Sequence, residues 1–166
     1  MKPIKSANQE LGRNCTAMKA DLLKQAYSTG RRNFSHSHLQ NVCLHKAYLA
    51  EINLCNAYLN RAVLSRTNFE RAYLNRAILY AANLSHADLL RASLIGANLE
   101  KANLNRTLLN HANLSGASLK NANLQNSELA WTNLRAANFK DANLDGVNFT
   151  GASFYQTVMP DGSVWN

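Results

Sequence analysis

Ala97-Asn98-Leu99-Glu100-Lys101-Ala102-Asn103-Leu104-Asn105-Arg106 shows the pattern that decides the fold, written twice: a small residue, a polar one, a leucine, then two more polar residues. Followed outward in both directions, the spacing runs from Phe34 to Phe154. Every fifth residue is Leu or Phe, 25 times without a slip, with 20 Leu and 5 Phe. Two residues before each of them stands a small side chain. It is Ala in 16 of the 25, otherwise Ser, Thr, Val, Ile or the single Arg32.

A period of five suits neither regular element. On an α-helix each step of five turns about 140° past a full revolution, so the leucines would spiral round every side. On a continuous strand an odd period sends successive leucines to opposite faces. Within one pentad, however, the Leu and the small residue two before it share a face. The chain is therefore read as briefly extended, then turning, then repeating, with two side chains inward and three outward per pentad. Such a unit cannot bury its own apolar face, so the units must stack.

Ala82-Asn83-Leu84-Ser85, Ala112-Asn113-Leu114-Ser115-Gly116 and Ala142-Asn143-Leu144-Asp145-Gly146 resemble the A-(D/N)-L-x-x repeat of pentapeptide-repeat proteins. The resemblance covers residues 31–154. It implies an all-β solenoid, a right-handed quadrilateral β-helix with four pentads to a square coil and about six coils. At the usual strand spacing the tower would stand roughly 30 Å tall. One interior column would then be Phe34, Leu54, Leu74, Leu94, Leu114, Leu134 and Phe154, with Ala columns beside it.

The flanks read differently. Residues 1–15 are expected to be a polar lead-in. Over 16–30, Met18, Leu22, Leu23, Ala26 and Tyr27 fall at helical spacing. This predicts a short capping helix, with Thr16 or Asp21 near its start and Gly30 as a left-handed C-cap. It would cover the N-terminal end of a β-helix spanning 31–159, with 160–166 as a tail. Leu22 to Phe34 is similar to the helix-then-Gly entry segment of cyanobacterial members of the family, and Thr157 to Gly162 to their closing turn.

Composition narrows the classes. Seven Gly and two Pro among 166 residues are too few for the turns of a conventional β-sandwich. Cys15, Cys43 and Cys55 are odd in number and lack a C-x-x-C pair, which argues against a disulfide framework or zinc site. Cys43 and Cys55 are assigned to opposite faces. No apolar leader and no membrane-length apolar run is present in the sequence, so the expected setting is the reducing cytoplasm. His36-Ser37-His38 and nearby His45 suggest a metal site, but His38 and His45 are assigned to successive faces and would diverge outward, so no metal or cofactor is expected. No nucleophile–base context or phosphate loop recurs, and a tower filled with Leu and Ala leaves no internal pocket. The expectation is no enzyme.

The net charge is +8, concentrated in residues 1–106. Stacking at twenty residues aligns Lys46, Arg66, His86 and Arg106 in one column and Arg71, Arg91 and His111 in the next. Leu90, Leu108 and Trp131 form a candidate apolar patch, and Tyr58, Ile78 and Tyr80 share another face. Asn83, Asn103, Asn123 and Asn143 are expected to bond to backbone. The main expectation is a non-catalytic protein-interaction module, possessing candidate contacts in the basic columns and the Leu90/Leu108/Trp131 patch. One alternative is a topoisomerase-interacting DNA mimic, as some family members are, although their acidic surface contrasts with this basic chain. Another is direct binding of nucleic acid through the basic columns. Phe139, Phe149, Phe154, Met159 and Trp165 provide apolar material for pairing at the C-terminal end, as family members do, so the expected state is a monomer or such a homodimer.

Overall fold

The computed structural model describes residues 7–166, with side chains from Met18 onward. Helix α1 spans Ala7–Ser28. It therefore begins well inside the stretch read as a lead-in, of which residues 1–6 lie outside the described residues. Ala7, Gln9, Glu10, Leu11 and Arg13 are good helix formers, which physically accounts for the earlier start. Thr16 and Asp21 are consequently interior positions and not caps.

The helix stops as its sequence dictates. Gly30 adopts φ +98°. The amide of Arg31 donates to Ala26 O at 3.0 Å, and that of Gly30 to Tyr27 O at 3.0 Å. This pair of bonds is a Schellman closure. The face laid on the first coil is Ala20, Leu23 and Tyr27, all buried, with Ala26 packed beside them. Met18 and Leu22, read as part of the buried stripe, are instead 57% and 58% exposed. A stripe offset by one position also satisfies helical spacing, and the small Ala20 permits the closer approach.

From Asn33 onward the chain pairs with itself at a constant separation. Asn33 bridges Asn53, His38 bridges Tyr58, Cys43 bridges Val63 and Tyr48 bridges Asn68, all parallel, and the series continues to Asn138–Val158. A coil is thus twenty residues with four faces. We number them by their inward columns: the first runs Phe34 to Phe154, the second Leu39 to Phe139, the third Leu44 to Leu144, and the fourth Leu49 to Phe149. Within the stack the Leu and Ala side chains are essentially sealed; Leu54, Leu74, Leu94, Leu114, Leu134 and Ala97 are each 0% exposed. Buried hydroxyls find carbonyls, as when Thr107 Oγ1 donates to Leu84 O at 3.0 Å and Thr132 Oγ1 to Leu109 O at 3.0 Å.

Each corner is a four-residue turn. From Phe34 to Phe149, the amide three residues after each inward Leu or Phe donates back to that residue's carbonyl, as Ala97 to Leu94 O at 3.0 Å. The second residue after the leucine takes positive φ at every corner from His36 to Gln156: twenty-one non-glycine residues at 52° to 60°, and Gly96, Gly116, Gly146 and Gly151. A positive φ at the third turn position but not at the second is the type II arrangement.

The last coil is closed unevenly. Strands β1 (Thr157–Val158) and β2 (Val164–Trp165) pair antiparallel, so the expected tail folds back as a hairpin. It brings Trp165 onto Phe154 at 5.1 Å between ring centroids, and Phe154 in turn meets Phe149 at 5.5 Å. Leu144, Val147, Phe149, Ala152 and Phe154 remain only partly buried. Phe154, expected in the core, thus forms part of an incompletely covered end.

Candidate interaction surface

The backbone assigns jobs to the three outward residues of each pentad. Among the described residues, the amide directly after each leucine donates to no backbone carbonyl. The residue directly before the leucine repairs this where it is Asn. Asn83 Oδ1 accepts from the Ser85 amide at 3.1 Å, Asn103 from Asn105 at 3.1 Å, Asn123 from Gln125 at 3.1 Å and Asn143 from Asp145 at 2.9 Å. Asn113 and Asn133 do the same for Ser115 and Arg135. The asparagine columns are fasteners, because a short side chain with an acceptor two residues upstream reaches this amide. Where Asn is missing, a neighbour sometimes substitutes: Asn75 Oδ1 serves the Ile95 amide one coil above, at 3.0 Å.

Recognition must therefore come from the remaining outward side chains. The twenty-residue pairing puts all the candidate contacts on the fourth face and its two corners. Lys46, Arg66, His86 and Arg106 stand on the corner before that face, and Arg71, Arg91, His111 and Trp131 on the corner after it. Leu90 and Leu108 lie between. All of the corner residues are exposed, since the left-handed turn swings them clear of the wall.

Two features divide this surface. Arg71 is held by carboxylates, Glu51 at 3.7 Å and Glu70 at 3.7 Å. Lys46, Arg66, Arg91 and Arg106 make no ion pair among the described residues. The apolar patch is interrupted as well. Leu108, 43% exposed, sits between Asp88 and Glu128 in its own column. Trp131 is 62% exposed, but its ring lies over Gly151, where an added Cβ would fall 2.5 Å from the ring. It leans toward the coil above and away from the coil that carries Leu108. The structure thus brings Lys46, Arg66, Arg91 and Arg106 to one side of the tower and separates the leucines from the tryptophan.

Two of the three histidines weighed as metal ligands have local partners. His38 stacks on Tyr58 at 4.8 Å, and His45 Nδ1 lies 2.7 Å from Ser65 Oγ. At the junction of helix and tower, Arg32 caps the Tyr27 ring at 3.8 Å and donates to Tyr27 O at 2.8 Å. This explains the one Arg found at a small-residue position: the first pentad has no coil beneath it.

Parallel twenty-residue coils, a Leu/Ala interior and corners given over to side chains define a β-helical repeat protein. The sequence profile described as Pentapeptide repeats matches in eight copies over residues 43–80, 76–110, 87–126, 112–151 and 127–159. The chain belongs to the pentapeptide-repeat family, and membership implies a right-handed β-helix. Such proteins are generally structural or interaction modules. A pentapeptide repeat protein from the Arabidopsis thaliana thylakoid lumen is similar at 32% identity and TM-score 0.54, over 55% of this chain and 64% of that one. This chain thus spans under two thirds of that relative. Rfr23, a pentapeptide repeat protein from the cyanobacterium Cyanothece 51142, is 26% identical with TM-score 0.51, over 90% of this chain and 100% of its own. QnrB1, a plasmid-mediated fluoroquinolone resistance protein, shares the fold at 20% identity and TM-score 0.53, over 76% and 67% of the two chains. No curated protein matches the chain.

Proposed function

We propose that the chain is a non-catalytic protein-interaction module, a right-handed quadrilateral tower of about six coils capped by α1. Its fourth face docks a protein partner with an acidic rim. The observation that carries this reading is the corner geometry. The two corners of this face are exposed, and on them the first coils place Lys46, Arg66, Arg91 and Arg106 without a carboxylate partner among the described residues. Fixed cations at regular height favour a rigid acidic surface, contributing mainly specificity and association rate. Leu90 and Leu108 supply apolar contact between the rails. The acidic-mimic alternative is disfavoured by the net charge of +8, since the carboxylates of this face are interleaved with cations. Capture from the source cells by the tagged chain tests the reading. A protein retained by the parent and lost on Arg66→Glu with Arg91→Glu supports it; an unchanged set of captured proteins contradicts it.

A second reading concerns assembly, and the open end supports it. Among the described residues, the amides of Leu144, Phe149 and Phe154 donate to no carbonyl, whereas their equivalents in every lower coil pair upward. With the half-covered phenylalanines, this edge suits a second copy joined end to end. Light scattering decides: a dimer mass that Phe149→Asp reduces to monomer is expected, and a monomeric parent refutes it.

A further inference from the structure

The second face, opposite the fourth, departs from the repeat in one consistent way. In its first three coils the fastening position holds His38, Tyr58 and Ile78 instead of Asn. As a result the amides of Gln40, Asn60 and Tyr80 have no acceptor among the described residues, backbone or side chain. The fastener returns at Asn98, which takes the Glu100 amide at 3.0 Å. Among the described residues, no other face leaves more than two successive coils unfastened. Three donors thus stand in one column, a coil apart.

Around that column the chemistry has a single sign. Arg61, with Lys101 two coils above it in the same column, lines one corner, and Arg76 stands on the other; none is ion-paired among the described residues. These three coils contribute no carboxylate to the face, the first being Glu100, which accepts from Ser118 Oγ at 2.8 Å. The fourth face, by contrast, mixes its cations with Glu70 and Asp88. A shallow groove of about 490 Å³ lies here, lined by Gln40, Asn41, Tyr58, Asn60, Arg61 and Tyr80. Tyr58 is 42% exposed and already stacks in parallel on His38, with 3° between the rings. Lys101 Nζ lies 5.6 Å from the Tyr80 ring centroid.

We infer that this groove binds single-stranded nucleic acid. Backbone donors and unpaired cations without carboxylates select a polyanion. Tyrosine rings set among them select one that carries flat aromatic groups, since bases stack on such rings with little regard to sequence. The side-chain amides of Asn41 and Asn60 offer donors and acceptors to base edges, while Gln40 Nε2 lies 3.3 Å from His38 Nδ1. An acidic peptide satisfies the cations but leaves the rings and amides unused. A duplex keeps its base faces stacked inside. The site is independent of the fourth-face reading, and either stands without the other.

The test is fluorescence anisotropy with a short labelled oligothymidylate and the same sequence as duplex. The parent is expected to bind the single strand, more weakly as salt rises. Tyr80→Ala is expected to weaken binding by about tenfold, in the range found for removal of one stacking ring. Ile78→Asn gives the Tyr80 amide an internal acceptor, so it is expected to fold at least as well as the parent and to bind less. Arg91→Glu, across the tower, is expected to change binding little. Absence of binding at low salt, equal binding of duplex, or equal losses from Arg91→Glu and Ile78→Asn would overturn the inference, as would preference for a polyglutamate peptide.

Discussion

The hydroxyl of Tyr27 donates to the carbonyl of Ala50 over 2.9 Å, tying α1 to the wall of the tower's first coil. The bond explains why a helix with two exposed apolar residues stays in place: it is pinned by a polar anchor next to Leu23 as well as by packing. Burial holds the Tyr27 hydroxyl above the ordinary tyrosine range, and Arg32 pulls the other way less strongly. An unfolded chain ionises Tyr27 first, so its contribution is complete below the ordinary range, about pH 10, and declines as pH rises from there through the folded value. Tyr27→Phe is expected to lose about 1 kcal/mol of stability at neutral pH and to flatten that alkaline decline. Denaturant titrations at neutral and alkaline pH measure both effects.

The asparagine fasteners give a second expectation. Asn103→Ala leaves the half-buried amide of Asn105 without its acceptor and should cost about 1 kcal/mol. Tyr73→Asn, which adds a fastener where the chain has none, should not destabilise the fold. Chemical denaturation of the two variants separates fastening from a general preference for Asn; equal losses would count against it.

Corner geometry predicts an ordering. Ala81 sits at φ +54°, where a β-branched side chain is a genuine outlier. Ala81→Val is expected to lower the melting temperature clearly, while Ala81→Gly stays near the parent because relief of strain offsets added freedom in the unfolded chain. A reversed order in thermal melts would contradict the left-handed corner.

Inside, the test is volume. Ala97 is fully buried beside the leucine columns. Ala97→Leu overpacks a middle coil and should cost about 1–3 kcal/mol by calorimetry. A variant that melts like the parent would place this residue elsewhere.

The interior was legible in the sequence because packing admits almost one answer per inward position; Leu99 and Ala97 have no other place to go. The asparagine columns were legible as backbone partners, though the amide two residues on is visible only once the turn is known. The helix register was harder. Met18/Leu22 and Ala20/Leu23/Tyr27 both satisfy helical spacing, and only contact with the first coil chooses between them. The left-handed corners were hidden by residues such as Arg66 and Arg91, which carry no preference for positive φ; Gly96, Gly116, Gly146 and Gly151 at the same phase were the available sign. The carboxylates that divide the fourth face, and the missing Asn at 38, 58 and 78, follow from twenty-residue spacing once one looks for what interrupts a column as well as what continues it.

On the proposed function, residues distant in sequence form one binding face. A photo-crosslinking amino acid placed singly at Arg66, at Arg91, and at Lys120 on the opposite face tests it most directly in the source cells. One and the same protein is expected to be captured from positions 66 and 91 and not from 120. Capture of different proteins from 66 and 91, capture equally from all three positions, or capture from none would contradict it.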